Sequence, residues 1–356
     1  MRTRSAASIL APPLFSFFVL RFSFLLLPFS FFVLPFSLLA QSLPVFRATT
    51  DVVAVPVTVT DRDGRFVSGL AADQFELTDA GERRAITQFT TERVPVSVGI
   101  LLDISGSMAT DPKARAADDA RWADTRRALE LLVQRLDPRD EVLFAAFADK
   151  VWLAVPWTRD HQQVPRAFNT LKPNGYTAMF DAVKLIAPAF QRAEHSRKVL
   201  LVITDGRDSL VPRLRGIPPP VSRPSSREEQ VQIEIYTRQK ALRDAAVGAA
   251  QRAVTDSGAA VYAIGMGTGK GAYVDLENLE LITAKSGGYV EDITDPAEIS
   301  AAVARVFDEL QSQYVMAFEP SHADGKYHEI TVTHKNRDLH VRARAGYTAG
   351  GKESKK

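Results

Sequence analysis

The sequence predicts an α/β domain with a doubly wound, mostly parallel sheet of Rossmann-like type, flanked by two β-rich segments. Three observations predict it. Across 94–313, continuous apolar runs at 96–103, 198–205 and 259–266 alternate with stretches of helical periodicity. Runs without a polar face read as strands buried on both sides, as in a parallel sheet covered by helices. At 45–93 and 314–348 the pattern changes to short strands punctuated by Gly-containing turns.

Composition sets the bounds. With 356 residues, 46% hydrophobic and 24% charged, the chain is globular and long enough for more than one domain. A net charge of +2 is too small to imply nucleic-acid or membrane-surface binding. There is no cysteine, which excludes disulfides, thiol chemistry and Cys-based zinc sites.

The first forty residues read as a targeting segment. Arg2 and Arg4 open it, Arg21 interrupts it, and Phe29 to Leu34 repeats Phe15 to Leu20. Such a tandem carries no fold information. An export signal cleaved near Ala40 is one reading. The other is an uncleaved anchor over 22–40, strained by Pro28 and Pro35. Either places the rest of the chain outside the cytoplasm: secreted, periplasmic, at the cell surface, or membrane-anchored. The predicted organisation is 1–40 signal or anchor, 41–93 β segment, 94–313 α/β domain, 314–348 β segment and 349–356 disordered tail.

In the N-terminal segment, 51–60 alternates as a strand, with Pro56 arguing for an edge or bulge. A turn at 61–64 follows, then strands at 75–78 and 85–90 around the turn 79–81. In the α/β domain a helix over 122–136 is closed by Asp137-Pro138, and strands follow at 141–148 and 151–157. A helix over 178–193 should kink at Pro188. Ser226-Arg-Glu-Glu229 is a capping-box pattern opening a helix to about Asp256. Helix 276–284, strand 289–293 and helix 296–313, with Pro at its start, complete the alternation. Strands at 314–318, 327–333 and 339–345 end the chain. Because the ends of such a domain usually lie close together, the two β segments are read as one sandwich of about seven strands carrying the α/β domain as an insertion. Two separate β appendages are the alternative.

The run at 96–103 stops at Asp103, followed by Ser105 and Ser107. These offer three hard oxygen ligands from one loop, suited to Mg²⁺ or Mn²⁺ better than zinc. Alone, Asp-x-Ser-x-Ser reads equally as a polar turn whose serines bond local backbone. Asp205 ends a second strand, and Thr177 lies in a loop entering a helix. In an open α/β sheet such residues collect outside the carboxyl ends of the strands.

Asp103-Ile-Ser105-Gly-Ser107, Gly175-Tyr-Thr177-Ala and Thr204-Asp205-Gly206 together resemble a von Willebrand factor A domain with a metal-ion-dependent adhesion site. The resemblance covers 94–311. It implies that the two serines and the threonine contribute hydroxyls and that the two aspartates bind the cation directly or through water. It further implies Mg²⁺ or Mn²⁺ as cofactor, a protein ligand presenting a carboxylate as partner, and no enzymatic activity. The flanks resemble a bacterial, acidobacterial-type group of such proteins, in which a short β segment precedes the A domain. A structural scaffold and a metal-assisted hydrolase are the rival functions.

Other features point to no second site. Asp181 reads as an acid favoured at a helix N-terminus, or as support behind the metal ligands. His322, His328, His334 and His340 recur every six residues, a spacing too wide in a strand for one ion. Gly265 to Gly271 lacks the Gly-Lys-Ser/Thr ending of a phosphate loop. A basic rim of Lys113, Arg115, Arg121, Arg207, Arg213, Arg215, Arg223 and Arg227, against Asp208, would favour an acidic partner surface.

Overall fold

A computed structural model describes residues 52–108, 120–212, 226–267, 274–321 and 323–350. The segment read as signal or anchor lies outside the described residues, as do His322, 268–273 of the Gly-rich loop and 351–356 of the tail. Among the described residues, no helix is long and apolar enough to cross a membrane.

The chain opens with β1 (Val53–Thr60), β2 (Phe75–Asp79), β3 (Glu82–Arg84) and β4 (Gln88–Thr90). The α/β domain follows in the order β5 (Val96–Asp103), α1 (Ala120–Arg135), β6 (Glu141–Phe147), β7 (Val151–Thr158), α2 (Gln163–Phe168), α3 (Met179–Ile186), β8 (Arg197–Thr204), α4 (Arg227–Ser257), β9 (Ala260–Met266), α5 (Leu276–Thr283), β10 (Val290–Ile293) and α6 (Ile299–Ser312). The chain ends with β11 (Tyr314–Phe318), β12 (Tyr327–His334), β13 (His340–Ala343) and β14 (Gly346–Thr348).

The central sheet has the order β10-β9-β8-β5-β6-β7, parallel except for β7, which pairs antiparallel with β6. All eight residues of β5 are buried, because both faces of the strand are covered. Val98, Ile100 and Leu102 pack with α1 and α6 on one side, while Leu101 meets α3, α4 and α5 on the other. Apolar side chains on both faces are what the continuous hydrophobic run encodes.

The flanking strands form two four-stranded sheets, β13-β1-β11-β4 and β14-β12-β2-β3. Val55, Val57, Tyr314 and Phe318 of the first share a core with Phe75, Leu77, Ile330 and Tyr347 of the second. Each sheet therefore draws strands from both sides of the α/β domain. β1 lies between β11 and β13, yet Pro56 pairs only with Val315, since contact with β13 begins at Val57. The missing N–H of Pro56 thus costs no ladder bond on the open side.

The structure corrects four local expectations. The strand expected at 85–90 is shortened to β4, which pairs with β11, and a strand not expected, β3 at Glu82–Arg84, precedes it and pairs with β2 in the other sheet. The strand expected at 339–345 is likewise shortened to β13, which joins β1, and a further strand not expected, β14 at Gly346–Thr348, joins β12. The helix expected over 178–193 is α-helical only to Ile186. It tightens into a 3₁₀ turn over Ala187–Arg192, with Pro188 at its start. The helix α2 had no sequence signal strong enough to announce it. By contrast, Ser226 caps α4 as its spacing predicts, its hydroxyl accepting from the Glu229 N–H at 3.1 Å.

A buried carboxylate ties the two parts together. Glu309, on α6, accepts through Oε1 from the Thr58 hydroxyl (2.9 Å), the Tyr262 hydroxyl (2.7 Å) and the Gln313 amide (3.3 Å). Its Oε2 accepts from Arg342 of β13. One side chain thus bonds to β1, β9 and β13 at once. Burial, then the Glu309 charge, pushes the Tyr262 phenol well above its usual range, so it stays a donor.

Candidate functional site

β5 and β8 are parallel neighbours with Leu102 opposite Ile203, so Asp103 ends level with Thr204 and Asp205 follows. Both aspartates are fully buried, Ser105 and Thr177 are buried, and Ser107 is half-buried. Local bonds hold Asp103 in place. Its Oδ1 accepts from the Ser105 N–H (2.8 Å) and its Oδ2 from the Thr204 hydroxyl (2.6 Å). The Ser105 and Ser107 hydroxyls lie 3.1 Å apart.

The loop carrying Thr177 is stitched to both aspartate loops. Asn174 N–H donates to Ile104 O (2.8 Å), and Gly106 N–H donates to Gly175 O (3.0 Å). Ser209 N–H donates to Thr177 O (2.7 Å), and the Thr177 N–H donates back to the Ser209 hydroxyl (3.2 Å). Gly206 turns the chain away after Asp205 with φ +75°, and a Cβ there would meet Asp275 O at 2.7 Å. All five predicted residues, Asp103, Ser105, Ser107, Thr177 and Asp205, therefore sit on loops joined at one end of the sheet.

Three further residues shape these loops in ways that sequence reasoning missed. Asp208, read as a lone acid in a basic loop, is buried and accepts from Phe180 N–H (3.0 Å) at the start of α3 and from Leu210 and Val211 N–H (2.9 Å each). An acid aimed at first-turn N–H groups satisfies donors that the helix leaves open. Arg121, read as part of the basic rim, is buried and donates to Ser107 O at 2.9 Å. Thr204, noted only as part of a motif, orients Asp103. Asp181 is exposed and lies 3.5 Å from Lys184, which fits the helix-terminus reading. Of the rim, Arg227 is exposed and Arg207 half-buried, while Lys113, Arg115, Arg213, Arg215 and Arg223 lie outside the described residues.

The donor chemistry fits a hard divalent cation. Asp205 Oδ2 is shut off from solvent and accepts no hydrogen bond, and Arg207 Nε lies 3.4 Å away. Two buried carboxylates at adjoining strand ends with three hydroxyls nearby are oxygen donors of the kind that Mg²⁺ or Mn²⁺ takes. Among the described residues no three acidic or imidazole side chains gather around one point, so any cation here would rely on the hydroxyls.

Burial pushes the Asp103 carboxyl up to about 7, with Asp205 adding to the rise and hydrogen bonds from Ser105 and Thr204 opposing it. Between pH about 4 and about 7 the unfolded chain has released this proton while the folded chain keeps it. Metal-free protein should therefore lose stability as pH rises through that window, and Asp103→Asn should flatten the slope in melts run with EDTA. A cation competes with the same proton, so calorimetry should find Mg²⁺ binding about tenfold weaker at pH 6 than at pH 8. Equal affinity at both pH values would separate Asp103 from the cation.

Comparison with known proteins finds one family description and several solved structures. The family description "von Willebrand factor type A domain" matches residues 98–207, which include all five candidate positions. No curated protein matches the sequence. Among solved structures, the conserved hypothetical protein BatB from Bacteroides thetaiotaomicron is 21% identical, covering 60% of this chain and 97% of its own, with TM-score 0.42. The vWF domain of the type V pili tip protein Mfa5 from Porphyromonas gingivalis is 15% identical, covering 61% and 95%, with TM-score 0.43. The von Willebrand factor type A protein from Catenulispora acidiphila is 12% identical, covering 86% and 76%, with TM-score 0.44. With a six-stranded mixed sheet covered on both faces and the family match across its first half, the chain carries a von Willebrand factor type A domain.

Proposed function

We propose that this is an extracytoplasmic binding protein whose A domain holds Mg²⁺ or Mn²⁺ through Asp103, Ser105, Ser107, Thr177 and Asp205, and through it a partner's carboxylate. The single observation that carries the reading is the pair of buried aspartates at adjoining strand ends, one with an oxygen left without a hydrogen bond. A bound cation would neutralise both carboxylates and offer an open position to an anionic oxygen. Exposed Arg227 and half-buried Arg207, which lies against Asp205, add positive charge on the segment that leaves this face, which favours an acidic partner surface. The apolar segment 1–40 supports export or anchoring. Binding, not catalysis, is the proposed role.

Saturating Mg²⁺ should raise the melting temperature, since a ligand at 100 times its Kd stabilises the folded state by about 2.7 kcal/mol. EDTA should reverse the rise. Identical melts with EDTA and millimolar Mg²⁺ would overturn the metal site. Partner capture in Mg²⁺ that releases with EDTA tests the second step, and capture indifferent to EDTA would favour the scaffold role.

A further inference from the structure

A cavity of about 640 Å³, lined by both polar and apolar side chains, lies at the joint between the A domain and the β-sandwich, apart from the aspartate loops. Lys198 of β8 and Arg344, between β13 and β14, both line it, together with Ser196, Gln191 and Tyr347. The one acid in the lining is Asp256, whose Oδ1 accepts from the Thr348 hydroxyl at 2.7 Å. Among the described residues, neither Lys198 nor Arg344 forms an ion pair or a side-chain hydrogen bond. The Arg344 Nε is closed off from solvent with no acceptor, and the Tyr347 ring lies 6.0 Å from its guanidinium carbon.

Lys198 and Arg344 sit half-buried in one recess, where Arg344 acts on Lys198 more strongly than the carboxylate of Glu141 does, and an anion supplied from outside offsets their repulsion. Arg344 also lies beside the C-terminus of α4, since a Cβ on Gly258 would be 3.5 Å from its Nη1. Helix carbonyls attract a guanidinium, but here Thr255 O is taken by Gly258 N–H and Val254 O by the Ser257 hydroxyl. The guanidinium is thus left with capacity for a ligand.

We propose that this cavity binds an organic phosphate ester, with Lys198 and Arg344 on the oxyanion and the body of the ligand against Tyr347 and Pro320. The guanidinium fork and the ammonium match a tetrahedral oxyanion, and Ser196 and Gln191 add uncharged donors. The volume exceeds what inorganic phosphate fills, and the wall of Val53, Pro320 and Tyr347 offers apolar contact to the remainder. Burial first, then Arg344, lowers the Lys198 pKa against the pull of Glu141, and burial lowers that of Arg344 to about 10, so a bound anion would favour the charged form of both.

The test uses phenyl phosphate as the probe, on the full chain in EDTA, at ionic strength matched with NaCl. Saturating probe should raise the melting temperature of the unaltered protein by about 5 °C or more, and inorganic phosphate by less. Arg344→Gln and Lys198→Gln should each weaken probe binding at least about tenfold, and without probe should melt no lower than the parent. No shift in the parent, or an equal shift in both variants, would overturn the site. If the variants fail to fold, mass spectrometry of acetylation on the unaltered chain decides. The probe should protect Lys198 from acetylation, and unchanged labelling at saturation would overturn the proposal.

Discussion

Asp103→Ala is expected to abolish divalent-cation binding and to leave the protein folded. Removing an outer partner of a metal ligand typically costs about 10–100-fold in affinity, and removing a carboxylate ligand should cost more than about 100-fold. Thr204→Val, which takes the 2.6 Å bond from Asp103 and an acceptor from the Gly206 N–H, should fall inside the lower range. The fold should survive because the deletion has two opposed effects. It strips an acceptor from the Ser105 N–H and the Thr204 hydroxyl, and it also removes a buried carboxyl repelled by Asp205. In EDTA the variant should melt close to the parent, while added Mg²⁺ should no longer raise its melting point. Unchanged Mg²⁺ affinity by calorimetry would remove Asp103 from the site.

Glu309→Ala should be the most destabilising substitution at the joint between the A domain and the sandwich. It leaves Arg342 without its carboxylate and deprives Thr58, Tyr262 and Gln313 of an acceptor, in a place where Glu309 itself is 2% exposed. Breaking a buried pair from one side costs about 3–5 kcal/mol. Urea unfolding should show that loss, and Glu309→Gln should recover part of it by keeping an acceptor for Tyr262. A midpoint within error of the parent would mean that water takes over the role of the carboxylate.

The sheet and the aspartates were legible because each depends on a local pattern. Apolar runs ending at Asp103 and Asp205 state both the burial of a strand and the point where it meets polar surroundings. The roles of Asp208 and Arg121 were not legible, because each depends on a partner from another loop. Asp208 bonds the N–H of Phe180, 28 residues earlier, and Arg121 bonds the carbonyl of Ser107 across a segment with no periodic signal. Charge alone put both in a solvated rim. The sandwich was legible as a count of strands but not as a pairing. The three residues between Arg84 and Gln88 carry the chain from one sheet to the other, and no local pattern states which strand the hydrogen bonds take up next.

Interleaved sheets also impose an order on folding. Val53 pairs with Phe318 and Phe75 with His334, so neither sheet of the sandwich can close until the entire A domain has been synthesised. Closing a loop of that length costs entropy before any strand contact repays it, unless the intervening chain is already compact. The A domain, in which even the widest strand pairing, Val96 with Arg197, spans far less chain than Val53 with Phe318, is thus the natural nucleus. Once folded, it brings its own two ends together and converts a very long loop into a short one. The first strands of the chain must wait meanwhile with their edges unpaired, the interval in which they are most exposed to wrong partners.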